Sequence, residues 1–367
     1  MQIADVAVEL LRMPLPRPML SGSSGGAGSK PVTHINMPIV SITTDNGIEG
    51  IGFAWNLMGG GGATKSLLVD DITPLLLDQD PLDHERLWRT IYRRLQSVGR
   101  AGLVTQAQAA VDLALWDIKG KAAGMPVWQL LGGMRSDAPV YGSDGGWLYM
   151  TVDEMLDHFE AYLSQGMFGV KMKVGHADPE IDIERVREVR ERLGGRVWLA
   201  VDANQQWNYD KAVMAGRAFE KLGVAWLEEP LICEDLKGHA RLVDKLDIPI
   251  ALGETLASRF EFASYINQNA VDTLQPDVIR AGGITECAKI VHLADAAGRS
   301  VAFHHIMEVS IHLVCGLLAE GPIEYMPWIA GAFAEEPEIK NGRMTAPSIP
   351  GLGLSIPDGI IERYRVA

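Results

Sequence analysis

Between residues 137 and 326 the chain carries eight short runs rich in β-branched and aromatic residues, with helical stretches between them. The runs are 139–143, 168–174, 197–203, 224–229, 249–254, 271–277, 300–305 and 322–326, and the helical patterns lie near 152–165, 178–193, 209–222, 234–246, 258–268, 283–297 and 307–319. Strand–helix–strand alternation imposes right-handed crossovers and a parallel sheet. Eight strands in so regular a rhythm are expected to close into a barrel rather than stay open. No GxGxxG follows the first of them, which argues against a dinucleotide site. The expected fold class is therefore α/β, a (β/α)₇β variant of the TIM barrel.

The preceding residues read differently. A strand is expected over 2–10, and 37–44 with 48–55 flank Asp45-Asn46-Gly47, a hairpin-turn signal. Helical periodicity follows at 64–77, 83–97 and 103–123, the last closed by Gly124 and Pro126. We expect an α+β capping unit over 1–125, the barrel over 126–326, and a segment 327–367 that returns to the cap. The glycine-rich stretches 20–30 and 56–65 read as loops.

Charge narrows the partners. Lys+Arg 33 against Asp+Glu 47 gives a net −14, unsuited to a phosphate backbone or an anionic membrane. No apolar run reaches the roughly 20 residues of a membrane helix. The N-terminal MQIADVAVELL has no basic lead, and three cysteines make no disulfide framework. A cytoplasmic, acidic, enzyme-sized protein with a small-molecule substrate is expected.

The barrel runs share one further feature. Each carries an ionisable residue at or near its C-terminal end: Lys171 and Lys173, Asp202, Glu228, Glu254, Asp277, His304 and Glu324. In a parallel barrel these ends meet on one face, where the chemistry of such folds is built. Alternation turns Val170, Met172 and Val174 toward the helices and Lys171 and Lys173 inward, and it selects His304 over His305 as the inward histidine. Three carboxylates on consecutive strands repel one another in a dry site. An oxygen-preferring divalent cation resolves that repulsion, and Mg²⁺, one per site, suits carboxylates plus water and substrate oxygens.

In this order and spacing, Lys171-Met-Lys173, Asp202-Ala-Asn204, Glu228-Glu229-Pro230, Gly253-Glu254, Gln275-Pro276-Asp277, His304 and Glu324 resemble the enolase superfamily, within it the mandelate racemase subgroup, muconate lactonizing enzymes included. The acid-sugar dehydratases, the talarate/galactarate type among them, are what the chain resembles most. The resemblance implies abstraction of the proton α to a carboxylate and stabilisation of an enediolate. It implies Asp202, Glu228 and Glu254 as Mg²⁺ ligands and Lys173 as the base on one face. Lys171 would hold down the pKa of Lys173 and touch the substrate carboxylate, and His304, oriented by Asp277, would act on the opposite face. Glu324 would hydrogen-bond the carboxylate in its protonated form, and Asn204 would contact a substrate oxygen. A symmetric homo-oligomer, octameric or smaller, is implied as well.

Two outcomes are open to these groups: loss of a β-hydroxyl as water, giving a 2-keto-3-deoxy acid, or inversion of the α-carbon by a racemase or epimerase. The polar stretch 20–36, with Ser24, Lys30 and His34 as candidate substrate contacts, favours a polyhydroxylated sugar acid and hence a hydro-lyase. Arg17, Lys30 or Lys65 would meet a second carboxylate. A catalytically dead binding barrel would normally have lost one of the paired lysines, the histidine or a metal acid. Gly22-Ser23-Ser24-Gly25-Gly26 lacks the strand and helix of a nucleophile elbow. The run 59–66 misses the second glycine of a P-loop. His158, His239 and His312 read as surface or packing residues.

Overall fold

The computed structural model describes residues 1–19, 31–57 and 59–366. Its first unit is a three-stranded antiparallel sheet of β1 (Ile3–Met19), β2 (Val32–Thr44) and β3 (Glu49–Phe53). The β2–β3 turn closes through Ile48 O accepting from Thr44 N at 2.9 Å, with Gly47 at φ 82°. Only the glycine takes a positive φ there, so the connection is a three-residue loop ending in a left-handed residue rather than a two-residue turn. The helical pattern expected over 64–77 is a chain of short pieces, Gly61–Ser66, a π-turn over Leu67–Ile72, and Thr73–Leu76.

Helix Leu103–Ala123 lies across this sheet and is buried almost all round, because the barrel covers its other side. β3 meets it through glycine: a Cβ at Gly52 would stand 1.9 Å from the Ala110 carbonyl oxygen. On the barrel side Asp112 accepts from Thr285 N at 2.9 Å, at the start of helix Ile284–Ala296, and Trp116 Nε1 donates to Thr285 Oγ1 at 2.9 Å. Asp117 joins three segments, accepting from Ile51 N (2.9 Å), Leu352 N (2.8 Å) and Lys121 Nζ (2.8 Å). Lys121 is partly exposed and adds little. The Asp117→Asn variant turns an amide group toward one of the two backbone N–H groups, at an expected cost of about 2 kcal/mol, read as a lower denaturation midpoint.

The second unit is the parallel barrel: β4 (Asp137–Gly142), β5 (Gly169–Lys173), β6 (Trp198–Asp202), β7 (Leu227–Glu228), β8 (Ile250–Leu252), β9 (Thr273–Leu274), β10 (Ser300–Val301) and β11 (Ile323–Tyr325). Pairing runs from β4 to β10 in chain order, and β11 returns to lie parallel to β4, Glu324 beside Tyr141. Between β10 and β11 the seam is held by His305 N donating to a Glu324 carboxylate oxygen at 2.9 Å. Large and small side chains fill the interior in turn: Tyr141 and Trp226 against Ala200, Ala251 and Ala302. The ring edges of Trp198 and Trp226 meet at 84° with centroids 4.7 Å apart.

The tail departs from the expected path. β12 (Ile339–Lys340) and β13 (Arg343–Thr345) form a hairpin whose second strand pairs antiparallel with β4, extending the barrel sheet. Helix Asp358–Tyr364 then reaches the cap, where Val366 N donates to Leu10 O at 2.7 Å. Among the described residues no helix is long and apolar enough to cross a membrane.

Candidate active site

Register alone brings the strand-end residues together. Lys173 pairs with Asp202, and Asp202 with Glu228. Glu254 stands two residues past β8, and Asp277 and His304 face each other across an isolated bridge beyond β9 and β10. Asp202, Glu228 and Glu254 each offer one oxygen within 4.8 Å of the others. Lys171 Nζ lies 2.7 Å from Glu228 Oε1 and 2.8 Å from Glu324 Oε1, and Lys173 Nζ donates to Asp202 Oδ2. Across the cluster His304 holds Asp277 Oδ2 through Nδ1 at 2.8 Å and turns Nε2 toward Glu254 Oε2 at 3.3 Å.

These groups line or floor a cavity of about 420 Å³. Lys173, Asn204, Glu254 and His304 open into it, under a wall of Trp55 and Gln106 from the cap, Trp147 from the barrel and Trp328 just past β11. Asn204, at φ 39°, donates its backbone N–H to Asp202 Oδ1 at 2.8 Å. Of the other expected substrate contacts, Ser24 and Lys30 lie outside the described residues. His34 does not reach the cavity: it sits half-buried on β2, opposite Pro14. Arg17 and Lys65 do not line it either. Arg17 meets Asp144 Oδ2 at 3.3 Å and the His158 ring, facing a neighbouring cavity of about 270 Å³.

Electrostatics separate these groups by charge. Burial presses both lysines toward neutrality, but the acids outweigh it: Glu228, Glu324 and Asp202 hold Lys171 well above the ordinary value, and Asp202 holds Lys173 above it. Lys171 does lower its neighbour, as expected, without prevailing. Burial pushes Glu324 toward the neutral form that the resemblance implies for it, yet Lys171 and His304 together hold its carboxyl well below the usual range. The acids themselves divide. Burial and then Asp202 push Glu228 up to about 8, whereas burial of Glu254 is overcome by His304, Arg280 and Lys173, which hold it at about 2. His304, despite burial, is raised to about 9 by Glu254 and Asp277.

Three further residues belong to the site without having been given a role from the sequence. Glu229, buried beside Glu228 and driven to about 8 by burial and Glu254, has Oε1 bound by Gln205 and Thr255. Arg280 Nη1 bonds Glu254 Oε1 at 3.1 Å with its guanidinium 4.7 Å from the Trp55 ring centre. His305, which alternation turned away from the site, packs its ring between Trp55 and Trp328, and burial lowers it to about 3.

The donor set suits a hard cation. Three carboxylates converge, Glu254 Oε2 is buried without a hydrogen-bond partner, and burial with mutual repulsion keeps the Glu228 carboxyl raised despite Lys171. A barrel whose mouth joins such a cluster to a lysine on one side and a hydrogen-bonded His–Asp pair on the other is built for proton transfer at a carbon beside a carboxylate. The chain belongs to the mandelate racemase/muconate lactonizing enzyme family: residues 28–132 match the model of its N-terminal domain, and residues 154–360 match the enolase C-terminal domain-like model. It is 38% identical over 355 residues to the L-talarate/galactarate dehydratase of Salmonella typhimurium strain LT2, covering 97% of this chain and 89% of that protein. It is 33% identical over 353 residues to the 3,6-anhydro-alpha-L-galactonate cycloisomerase of Streptomyces coelicolor, covering 96% of each. The crystal structure of an L-talarate dehydratase from Polaromonas sp. JS666, complexed with Mg and L-glucarate, superposes with a TM-score of 0.95 at 38% identity, covering 100% of this chain and 98% of that one.

Proposed function

We propose that this chain is a Mg²⁺-dependent acid-sugar dehydratase, a hydro-lyase that converts an aldonate or aldarate of the talarate/galactarate kind into a 2-keto-3-deoxy acid. The observation that carries the reading is the placement of Lys173 and His304 on opposite sides of one three-acid cluster, both opening into one cavity. Asp202, Glu228 and Glu254 would hold the ion. When bound, it neutralises these acids and stabilises the charge that grows on the substrate carboxylate as the α-proton leaves.

The remaining work falls to side chains. Lys173, as the free amine, takes the α-proton. Lys171, buried and held cationic by Glu324 and Glu228, gives a hydrogen bond to the substrate carboxylate. Asp277 accepts from His304 Nδ1, which fixes the ring so that Nε2 bears the proton in play. His304 donates that proton to the β-hydroxyl as its C–O bond breaks, so water leaves and an enol remains, which becomes the 2-keto acid. Asn204 bonds a substrate hydroxyl. The same reading makes the protein a cytoplasmic homo-oligomer, octameric or smaller.

A library of sugar acids, assayed for 2-keto products with semicarbazide, is expected to give signal on aldarates or aldonates. That signal should vanish in EDTA and return with Mg²⁺. Epimerised acid without keto product would establish the racemase reading instead, and full turnover in EDTA would overturn the metal assignment.

A further inference from the structure

Each of the three clustered acids has one oxygen already engaged by a donor that takes no part in proton transfer. Asp202 Oδ1 accepts from Asn204 N at 2.8 Å. Glu228 Oε2 accepts from Trp226 Nε1 at 3.1 Å and from Gln275 Nε2 at 2.8 Å. Glu254 Oε1 accepts from Arg280 Nη1 at 3.1 Å, and the same nitrogen holds the Glu254 carbonyl at 3.1 Å.

These donors have little freedom to swing away. Trp226 is wedged edge-on against Trp198 in the barrel plug, and Gln275 is 1% exposed. Arg280 is held against the Trp55 face. What remains to each acid is one oxygen: Asp202 Oδ2, Glu228 Oε1 and Glu254 Oε2. Among the described residues, the two lysines and the His304 ring approach those three, together with the Asn204 amide nitrogen, 3.3 Å from Asp202 Oδ2.

Denticity separates two common hard cations. Ca²⁺ gathers six to eight oxygens at roughly 2.3–2.6 Å and readily takes both oxygens of a carboxylate, whereas Mg²⁺ demands six at roughly 2.0–2.1 Å. We propose that Asn204, Trp226, Gln275 and Arg280 are positioning residues that restrict Asp202, Glu228 and Glu254 to one-oxygen ligation and so set the selectivity of the site for Mg²⁺ against Ca²⁺. The inference rests on the ligand assignment made above.

The readout is a ratio of affinities. Removing the Arg280 charge alters attraction for any divalent ion alike, so it cancels between Mg²⁺ and Ca²⁺, while a change in denticity does not. Mn²⁺ binding is followed by electron paramagnetic resonance without substrate, and Mg²⁺ and Ca²⁺ are titrated in as competitors. The Arg280→Met variant is expected to shift the ratio of dissociation constants toward Ca²⁺ by about tenfold. Gln275→Met should shift it the same way but less, because Trp226 still donates to the same oxygen. Arg280→Lys, which keeps a donor and the charge, should stay near the wild type.

An unchanged ratio in both methionine variants overturns the inference, and Gln275→Met decides it alone if Arg280→Met does not fold. A wild-type protein that binds no Mn²⁺ would instead overturn the ligand assignment, and this inference with it.

Discussion

Replacing Lys173 by Ala or His304 by Asn is expected to lower net dehydration by about 10³-fold or more in each case, since each removes one of the two groups that move a proton. The two variants should then differ in deuterated solvent. The proposed function gives abstraction at the α-carbon to Lys173, on the Asp202 side of the cluster. It gives expulsion of the hydroxyl to His304, on the Glu254 side and tied to Asp277. In the His304→Asn variant Lys173 still removes the α-proton and exchanges it, so recovered substrate gains deuterium while no keto acid forms. The asparagine keeps a donor for Asp277, which limits damage to the neighbouring acids. Lys173→Ala should show neither exchange nor product. Exchange in Lys173→Ala, or undiminished turnover in both, would remove the two-sided assignment.

How much of this was legible in the sequence follows from where periodicity speaks. Each barrel strand overlaps a run that alternation and β-rich composition already marked, and from β5 to β11 the strands are shorter than the runs. β7, β9 and β10 have two residues each; Glu228 ends β7, while Asp277 and His304 each stand three residues past their strands. Backbone contact continues without a regular ladder, as in His304 N to Pro276 O at 3.2 Å. The β12–β13 hairpin was invisible because strands of two and three residues carry no period. The buried helix Leu103–Ala123 showed its apolar repeat but not its second packed face, which only the barrel defines.

The site shows the same boundary. One ionisable residue per strand end sufficed to gather Asp202, Glu228 and Glu254. Arg280 and Glu229 lie one or more residues beyond a strand, where alternation no longer tells direction, and Glu229 enters at φ 39°. Charge states were further out of reach. Whether Glu324 is neutral depends on Lys171 lying 2.8 Å away, and that distance exists only once β11 has closed beside β4.

Glu308, away from the three-acid cluster, makes folding stability depend on pH. It stands in the first turn of helix Met307–Leu317, 2% exposed, with neither carboxylate oxygen hydrogen-bonded among the described residues. Burial pushes its carboxyl from 4.5 up to about 7, so over that interval the folded chain keeps a proton that the unfolded chain has lost. The unfolded state then binds fewer protons, and this group's contribution to stability falls as pH rises through the window, by about 3 kcal/mol in all, and is level above it. His305 and His312 act in the opposite sense, since burial lowers them to about 3 and about 4 and the unfolded chain takes up their protons first. The wild-type profile alone therefore mixes the two. The difference between wild type and Glu308→Gln does not: the variant should be close to wild type at pH 4.5 and more stable by about 3 kcal/mol at pH 8, measured by denaturant unfolding at each pH. A difference that stays constant across that range would mean that Glu308 ionises in the folded protein at the same pH as in the unfolded chain, and would overturn the assignment.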